Sequence, residues 1–295
     1  MRMKTLKISG FADEISSDFS KQIQELNKLG IGYMSIRGVD GKNIGHYTLE
    51  EIRQTIVPRL EAGKIKISSI GSPIGKIDIE DEDAFDSQKK MLETLCQACK
   101  LFGCDYIRVF SFYIQEGKDP DAYKDVVIDK MQVFVDIAKK HQVILLHENE
   151  KDIYGDIARR CKTLIDAIDS PNFKGIFDFA NFVQCQEDTR ACYELLKDDT
   201  VYIHIKDAVY TNGDNVLCGT GDGKIQELLA DFIAEGYEGF LTLEPHLVLF
   251  DSLKDLENKD SAEVIKNNKA MSGEEGFAMQ YRALQDILKT IQGDV

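Results

Sequence analysis

Four short apolar runs in the second half of the chain each end in groups able to hold a metal or move a proton. They read His147-Glu148-Asn149-Glu150, Phe177-Asp178-Phe179-Ala180-Asn181, His204-Ile205-Lys206-Asp207 and Leu243-Glu244-Pro245-His246. Carboxylates and imidazoles are costly to bury unless paired or metal-bound, so one at the end of each of four apolar runs needs a cause. Alternation along an extended strand puts Ile144, Leu146 and Glu148 on one face. It likewise groups Ile176 with Asp178, Tyr202 with His204 and Lys206, and Thr242 with Glu244. Glu148, Asp178, His204 and Glu244 can therefore converge. Three carboxylates and one imidazole make a hard, mostly oxygen cage suited to Mn²⁺, Mg²⁺ or Co²⁺ and tolerant of Zn²⁺.

Such convergence needs parallel strands. Strand-like runs fall at Leu6–Gly10, Tyr33–Arg37, Ile65–Ile70, Tyr106–Phe110, Val143–Glu148, Lys174–Asp178, Val201–Lys206 and Phe240–Glu244. Helical periodicity fills the gaps, at Asp18–Leu29, Leu49–Ala62, Ala84–Phe102, Ala122–Lys140, Ile157–Ile168, Thr189–Leu196, Ile225–Glu235 and Phe277–Ile291. Eight strand-helix units predict an α/β fold, a single (β/α)8 TIM barrel, as one domain over residues 1–295. The competing doubly wound sheet would want a glycine-rich turn after the first strand, where Gly10-Phe11-Ala12-Asp13-Glu14 stands instead. Asp251–Gly276, rich in Lys, Asp, Glu, Asn and Ser, is expected to be a long loop between the last strand and the last helix. Such a loop would lie on the active-site face, as a lid, a subunit contact in a homo-oligomer, or a solvated insertion.

With 36 basic and 51 acidic residues the chain carries a formal charge of −15, which repels phosphate backbones and argues against nucleic acid as a partner. No stretch approaches the roughly 20 apolar residues of a membrane span. The Met1-Arg2-Met3-Lys4-Thr5 start lacks an apolar signal region, so a cytoplasmic protein is expected. The seven cysteines are scattered, and Cys96 and Cys99 read as small core-facing residues of a helix rather than a zinc or redox motif.

The order Glu, Asp, His, Glu on the last four strands resembles the xylose isomerase-like barrel superfamily. Within it the chain is similar to the sugar phosphate isomerase/epimerase group, which includes ketose 3-epimerases and inosose dehydratases. The resemblance spans nearly the whole chain. It takes in Gly10-Phe11-Ala12-Asp13-Glu14-Ile15-Ser16, His204-Ile205-Lys206-Asp207, Gly219-Thr220-Gly221-Asp222-Gly223 and Gly239-Phe240-Leu241-Thr242-Leu243-Glu244. It implies one divalent metal, Mn²⁺ as the expected ion, held by Glu148, Asp178, His204 and Glu244. It also implies that Glu148 and Glu244 act as acid and base on opposite faces of a bound sugar or sugar phosphate. The chemistry is sound on its own terms: a metal chelated by a carbonyl and a neighbouring hydroxyl stabilises the enediolate formed when the adjacent C–H proton leaves. Asn181 departs from the pattern, standing where ketose epimerases often carry a substrate-binding histidine. An amide still binds a hydroxyl but carries no proton, which leaves room for elimination chemistry of the dehydratase or lyase kind.

Further substrate-binding candidates are Arg37 and Arg108, able to grip a carboxylate or phosphate by paired hydrogen bonds, and Lys76 as a point charge. Ion pairing is the plain alternative for each. Lys206 shares the inward face of His204, and His246 that of Glu244, whereas His147 points away. Gly219–Gly223 lacks the Lys-Ser/Thr of a P-loop and reads as a turn into the Ile225 helix. A non-catalytic sugar-binding barrel would not need four converging ligands. A repair endonuclease would need about three zinc ions and a basic groove, against five histidines and an acidic chain.

Overall fold

The protein is described by a computed structural model covering residues 6–248 and 271–293. Eight parallel strands are β1 Lys7–Gly10, β2 Tyr33–Ile36, β3 Lys66–Gly71, β4 Tyr106–Val109, β5 Ile144–Glu148, β6 Phe173–Asp178, β7 Thr200–Ile205 and β8 Phe240–Leu243. They run in the order β1-β8-β7-β6-β5-β4-β3-β2, so β1 pairs with β8 and the sheet curls round on itself. β1 and β2 adjoin without ladder pairing, giving a nearly closed (β/α)8 barrel.

Helices lie between the strands, many with the expected stop and start signals. Asp18, Asp81 and Asp188 cap helices Phe19–Lys28, Glu82–Phe102 and Thr189–Leu196 with side-chain oxygens. Gly30, Gly103 and Gly236 turn the chain with positive φ just beyond helices Phe19–Lys28, Glu82–Phe102 and Ile225–Ala234. Helix Glu82–Phe102 buries Cys96 and Cys99 against the sheet side. The expected second helix is interrupted by a π-helical turn, Ile52–Ile56, before Val57–Gly63. Pro58 has no N–H to donate back to Gln54, so the ladder shifts by one residue there.

The last helix starts earlier than its apolar periodicity indicates. It spans Gly273–Gln292, because Ser272 and Glu275 form a reciprocal capping box that begins the helix before the first large apolar residue, Phe277. The expected Asp251–Gly276 loop therefore ends by residue 272, and its positions 251–270 lie outside the described residues. A short helix, Phe179–Gln184, and two antiparallel strand pairs were not expected. The pairs join Gly38–Val39 to Lys42–Asn43 and Asp207–Ala208 to Asn215–Val216.

Register sets the geometry of the barrel mouth. Asp178 is level with His204, and His204 with Thr242. Glu148 is level with Ile176, two residues before Asp178, and Glu244 follows Thr242 by two. The short aspartate and the imidazole thus share a rung, and the longer glutamates reach it from below and above.

Beneath them lies a buried hydroxyl layer. Thr242 donates to Tyr202 Oη at 2.6 Å, which is 2.9 Å from Ser68 Oγ and 3.0 Å from Ser69 Oγ. Ser9 joins Ser68 at 2.6 Å and Ser35 joins Ser69 at 2.7 Å. These bonds link five strands across the barrel interior. Replacing Tyr202 with Phe leaves Thr242 and two serines short of a partner in a dry interior. The Tyr202→Phe variant is expected to lose about 1–3 kcal/mol of stability in urea denaturation, and an unchanged midpoint would contradict a shared network.

Candidate metal centre and active site

At the mouth, His204 Nδ1 faces three carboxylates: Glu148 Oε1 at 2.7 Å, Glu244 Oε2 at 3.2 Å and Asp178 Oδ2 at 3.7 Å. One donor atom from each of the four residues lies within 4.8 Å of all the others, and all four side chains are buried. Glu148 Oε2, Asp178 Oδ2, Glu244 Oε2 and His204 Nε2 have no hydrogen-bond partner among the described residues. Buried polar atoms are normally hydrogen-bonded; these oxygens instead meet only the ion-pair partners Arg108, Lys206 and His204 at 3.2 Å, a cluster of negative charge that a divalent cation fits. An O₃N donor set suits a hard or borderline divalent ion.

Each glutamate has its own arginine. Arg37, next after β2, is fully enclosed and donates from Nη1 to Glu244 Oε1 at 2.7 Å and from Nε to Asp13 Oδ2 at 2.8 Å. Its Nη2 is 3.3 Å from Glu14 Oε1. Arg108 on β4 places Nη1 3.2 Å from Glu148 Oε2. Burial alone would raise both glutamates, but His204 and Arg108 bring Glu148 down to about 2, and Lys206 with His204 and His246 holds Glu244 well below the usual range. Burial opposes the charged form of His204, yet the carboxylates around it, Glu148 foremost, raise it well above an ordinary imidazole. A metal would have to displace that proton, because only neutral imidazole coordinates.

Lys206 Nζ, one residue past β7, is 3.2 Å from Asp178 Oδ2 and 3.8 Å from Glu244 Oε2. His246 Nε2 is 3.5 Å from both Glu244 Oε1 and Glu14 Oε1. Glu14 also accepts the His246 backbone N–H at 2.8 Å, and burial raises it to about 7. Glu14, Glu244 and His246 form a second acidic group close enough for a metal, but the Arg37 guanidinium already sits against it as the counter-cation. Lys76 Nζ pairs with Glu150 Oε2 at 3.2 Å over the Phe110 ring. Gly75 permits that approach: its φ is +88°, and a Cβ would come within 2.0 Å of the Phe110 carbonyl oxygen. Arg37, Lys76, Arg108, Asn181, Lys206, Glu244 and His246 line one pocket with Glu150 and Gln184.

Asn181 lies at that pocket with its side-chain nitrogen committed to the Asn149 carbonyl at 2.7 Å. Asn149 carries a role that reading the sequence missed. Its side chain donates to the Asp178 carbonyl and accepts from the Asp178 N–H, both at 3.1 Å, pinning the end of β6 to that of β5. Asp178 in turn caps the Phe179–Gln184 helix through Oδ1, leaving Oδ2 for the centre. Asp13 and Glu14 were also missed; the signal was two acids directly after β1, at the same end of the barrel as the others. His147 points away, as its alternation predicts, to Ser111 Oγ at 3.0 Å, and burial lowers it to about 4, so it is neutral near pH 7. The Gly219–Gly223 turn does present inward N–H groups, but Asp207 fills them, accepting from Gly219, Gly221 and Gly223 at 2.8 to 3.0 Å.

The family described as xylose isomerase-like TIM barrel matches residues 23–267. The chain belongs to that family. No curated protein matches it by sequence. Solved barrels of the same fold include an IolI protein with a bound zinc atom, at a TM-score of 0.76 and 13% identity over 97% of this chain and 99% of that one. A D-allulose 3-epimerase from Methylomonas sp. superposes at 0.71 with 15% identity over 99% of each chain. A probable 3-DHS dehydratase, AsbF from Bacillus anthracis, superposes at 0.67 with 15% identity over 89% and 97%. Among the described residues, no helix of this xylose isomerase-like barrel is long and apolar enough to cross a membrane.

Arg37 offers a direct test of how the mouth is held. Arg37→Met removes the guanidinium that offsets Asp13, Glu14 and Glu244 in a buried cluster, so a loss of about 3–5 kcal/mol is expected by urea denaturation. A group that serves only to grip substrate would leave stability unchanged.

Proposed function

We propose that the protein is a divalent-metal-dependent sugar isomerase or epimerase that abstracts a proton beside a carbonyl, forming an enediolate. The observation that carries this reading is His204 Nδ1 enclosed by three buried carboxylates, with one donor atom of each of the four residues within 4.8 Å of the others. Glu148, Asp178, His204 and Glu244 are the residues that would hold the ion. Mn²⁺ is the first choice, with Mg²⁺, Co²⁺ and Zn²⁺ compatible with the same donors. The ion would supply Lewis-acid stabilisation of the charge that develops on the substrate oxygens.

The chain's own groups supply the rest. Glu148, beside His204 and Arg108, and Glu244, beside Lys206, His204 and His246, are held in the ionised form that a base requires; both stand at the barrel mouth, where a substrate C–H could be reached. One takes the C–H proton as the bond pair moves toward the carbonyl oxygen. Returning a proton to the same carbon from the other face epimerises the sugar; returning it to the neighbouring carbon, while the hydroxyl proton of the first carbon passes to the other oxygen, isomerises it. Lys206 and His246 stand beside Glu244 and can bind substrate hydroxyls. The burial of the whole cluster excludes water from the reacting carbon.

The likeness to a barrel described as a dehydratase supports a second reading, loss of water after the same proton abstraction. Mass-conserving conversion marks the first reading, and release of water the second.

Deuterium uptake from solvent, with ketoses, their phosphates and inososes as substrates, is the test. Glu148→Gln and Glu244→Gln are each expected to slow exchange by about 10²- to 10⁴-fold with the fold intact by circular dichroism; full exchange in both would sink the mechanism. Stripping divalent ions with a chelator is expected to abolish exchange, and added Mn²⁺ to restore it. Tight sugar binding without exchange in any of these substrates would instead identify a non-catalytic sugar-binding barrel.

A further inference from the structure

One edge of one guanidinium at the mouth is unused. Arg108 is 2% exposed, and its Nη1 faces Glu148 Oε2 at 3.2 Å and Glu244 Oε1 at 3.7 Å. Its Nε and Nη2 are buried with no hydrogen-bond partner among the described residues. Those two nitrogens share one side of the planar group and present a pair of parallel N–H donors, the edge that grips two coplanar oxygens. Leaving charged donors buried and unpaired is costly, so a ligand is the natural partner.

The neighbouring cations are already engaged. Arg37 bonds three carboxylates, Lys206 pairs with Asp178, and Lys76 pairs with Glu150. The Arg108 plane is also held in place, its Cζ 5.0 Å from the Phe11 ring centre and 4.9 Å from that of Phe110. Lys76 Nζ lies 4.5 Å from the centre of the same Phe110 ring, and Lys76 lines the same pocket as Arg108. Both side chains line the pocket that Glu244 and Lys206 enter.

We propose that the substrate is a hydroxy-keto acid whose carboxylate docks on the Nε and Nη2 edge of Arg108 beside Lys76, with its ketone end at the four-residue cluster. This rests on the proton-transfer reading of that cluster. Two parallel donors can grip either a carboxylate or a phosphate, but a phosphate's third oxygen and second charge would face the buried carboxylates of the mouth. Barrels commonly bind phosphate on backbone N–H groups of the loops after the seventh and eighth strands, and here the turn after β7 is filled by Asp207.

The test compares three probes on the full chain by titration calorimetry, with and without Mn²⁺. 5-Hydroxy-4-oxopentanoate carries a hydroxyketone and a separate carboxylate, 1-hydroxybutan-2-one is neutral, and dihydroxyacetone phosphate is the phosphate counterpart. The carboxylate is expected to bind about tenfold or more tighter than the neutral ketone. That preference is expected to vanish in Arg108→Met and to be intermediate in Arg108→Lys, which keeps the charge but loses the fork. If Arg108→Met does not fold, the wild-type comparison and Arg108→Lys decide. Equal binding of acid and neutral ketone, tightest binding of the phosphate, or a preference unchanged in the foldable Arg108 variants would each overturn the proposal. Mn²⁺ titrated alone reads the cluster separately: loss of metal binding with the acid preference intact would strike the metal chemistry and leave the Arg108 subsite standing.

Discussion

The burial of negative charge is the constraint on which the rest of the site depends. Asp13, Glu14, Glu148, Asp178 and Glu244 are each at most 5% exposed, and they crowd one end of the barrel. Among the described residues, three permanent cations, Arg37, Arg108 and Lys206, are buried among them. Ionised carboxylates in such a place repel one another and lose their hydration, so the deficit must be met by protons or by metal. In this structure the imidazoles of His204 and His246 carry raised proton affinities for that reason. A divalent ion bound there would take over the part played by the His204 proton.

That concentration of charge rests on a barrel interior whose hydroxyls are hydrogen-bonded to one another. The hydroxyl layer centred on Tyr202 sits below the cluster, and Leu146 and Ile176 pack with Tyr202 in the interior. Asn149 ties the ends of β5 and β6 together with two bonds to one peptide. Gln280 reaches from the last helix to the Ile205 carbonyl and the Cys218 N–H, anchoring the outer layer to the end of β7. Side chains placed on strands and backed by such contacts hold their geometry better than side chains on loops.

The division of labour among the basic residues follows from the same charge balance. Arg37 contacts more carboxylates than any substrate would leave free, so it orients Glu244 as part of the framework. Arg108 contacts the cluster through one nitrogen and keeps an edge for something else. The Asp207 carboxylate turns an apparent anion cradle into an internal staple, which removes the one turn that resembled a phosphate site.

Much was legible in the sequence because it depends on short-range rules. Apolar runs of strand length, helical periodicity and glycine stops located the eight strand-helix units, and alternation alone showed that Glu148, Asp178, His204 and Glu244 face inward while His147 does not. Local capping moved the last helix's start to Gly273, a signal present in Ser272 and Glu275 but outweighed by the polar composition around it. What periodicity does not encode is the stagger between strands and the meeting of residues far apart in the chain. The sequence therefore determined which groups stand at the barrel mouth. Only the tertiary structure decided that Arg37, 207 positions from Glu244, is bonded to it, that Asn149 serves the backbone of Asp178, and that one edge of Arg108 is left open, because each depends on which strand lies beside which and at what level.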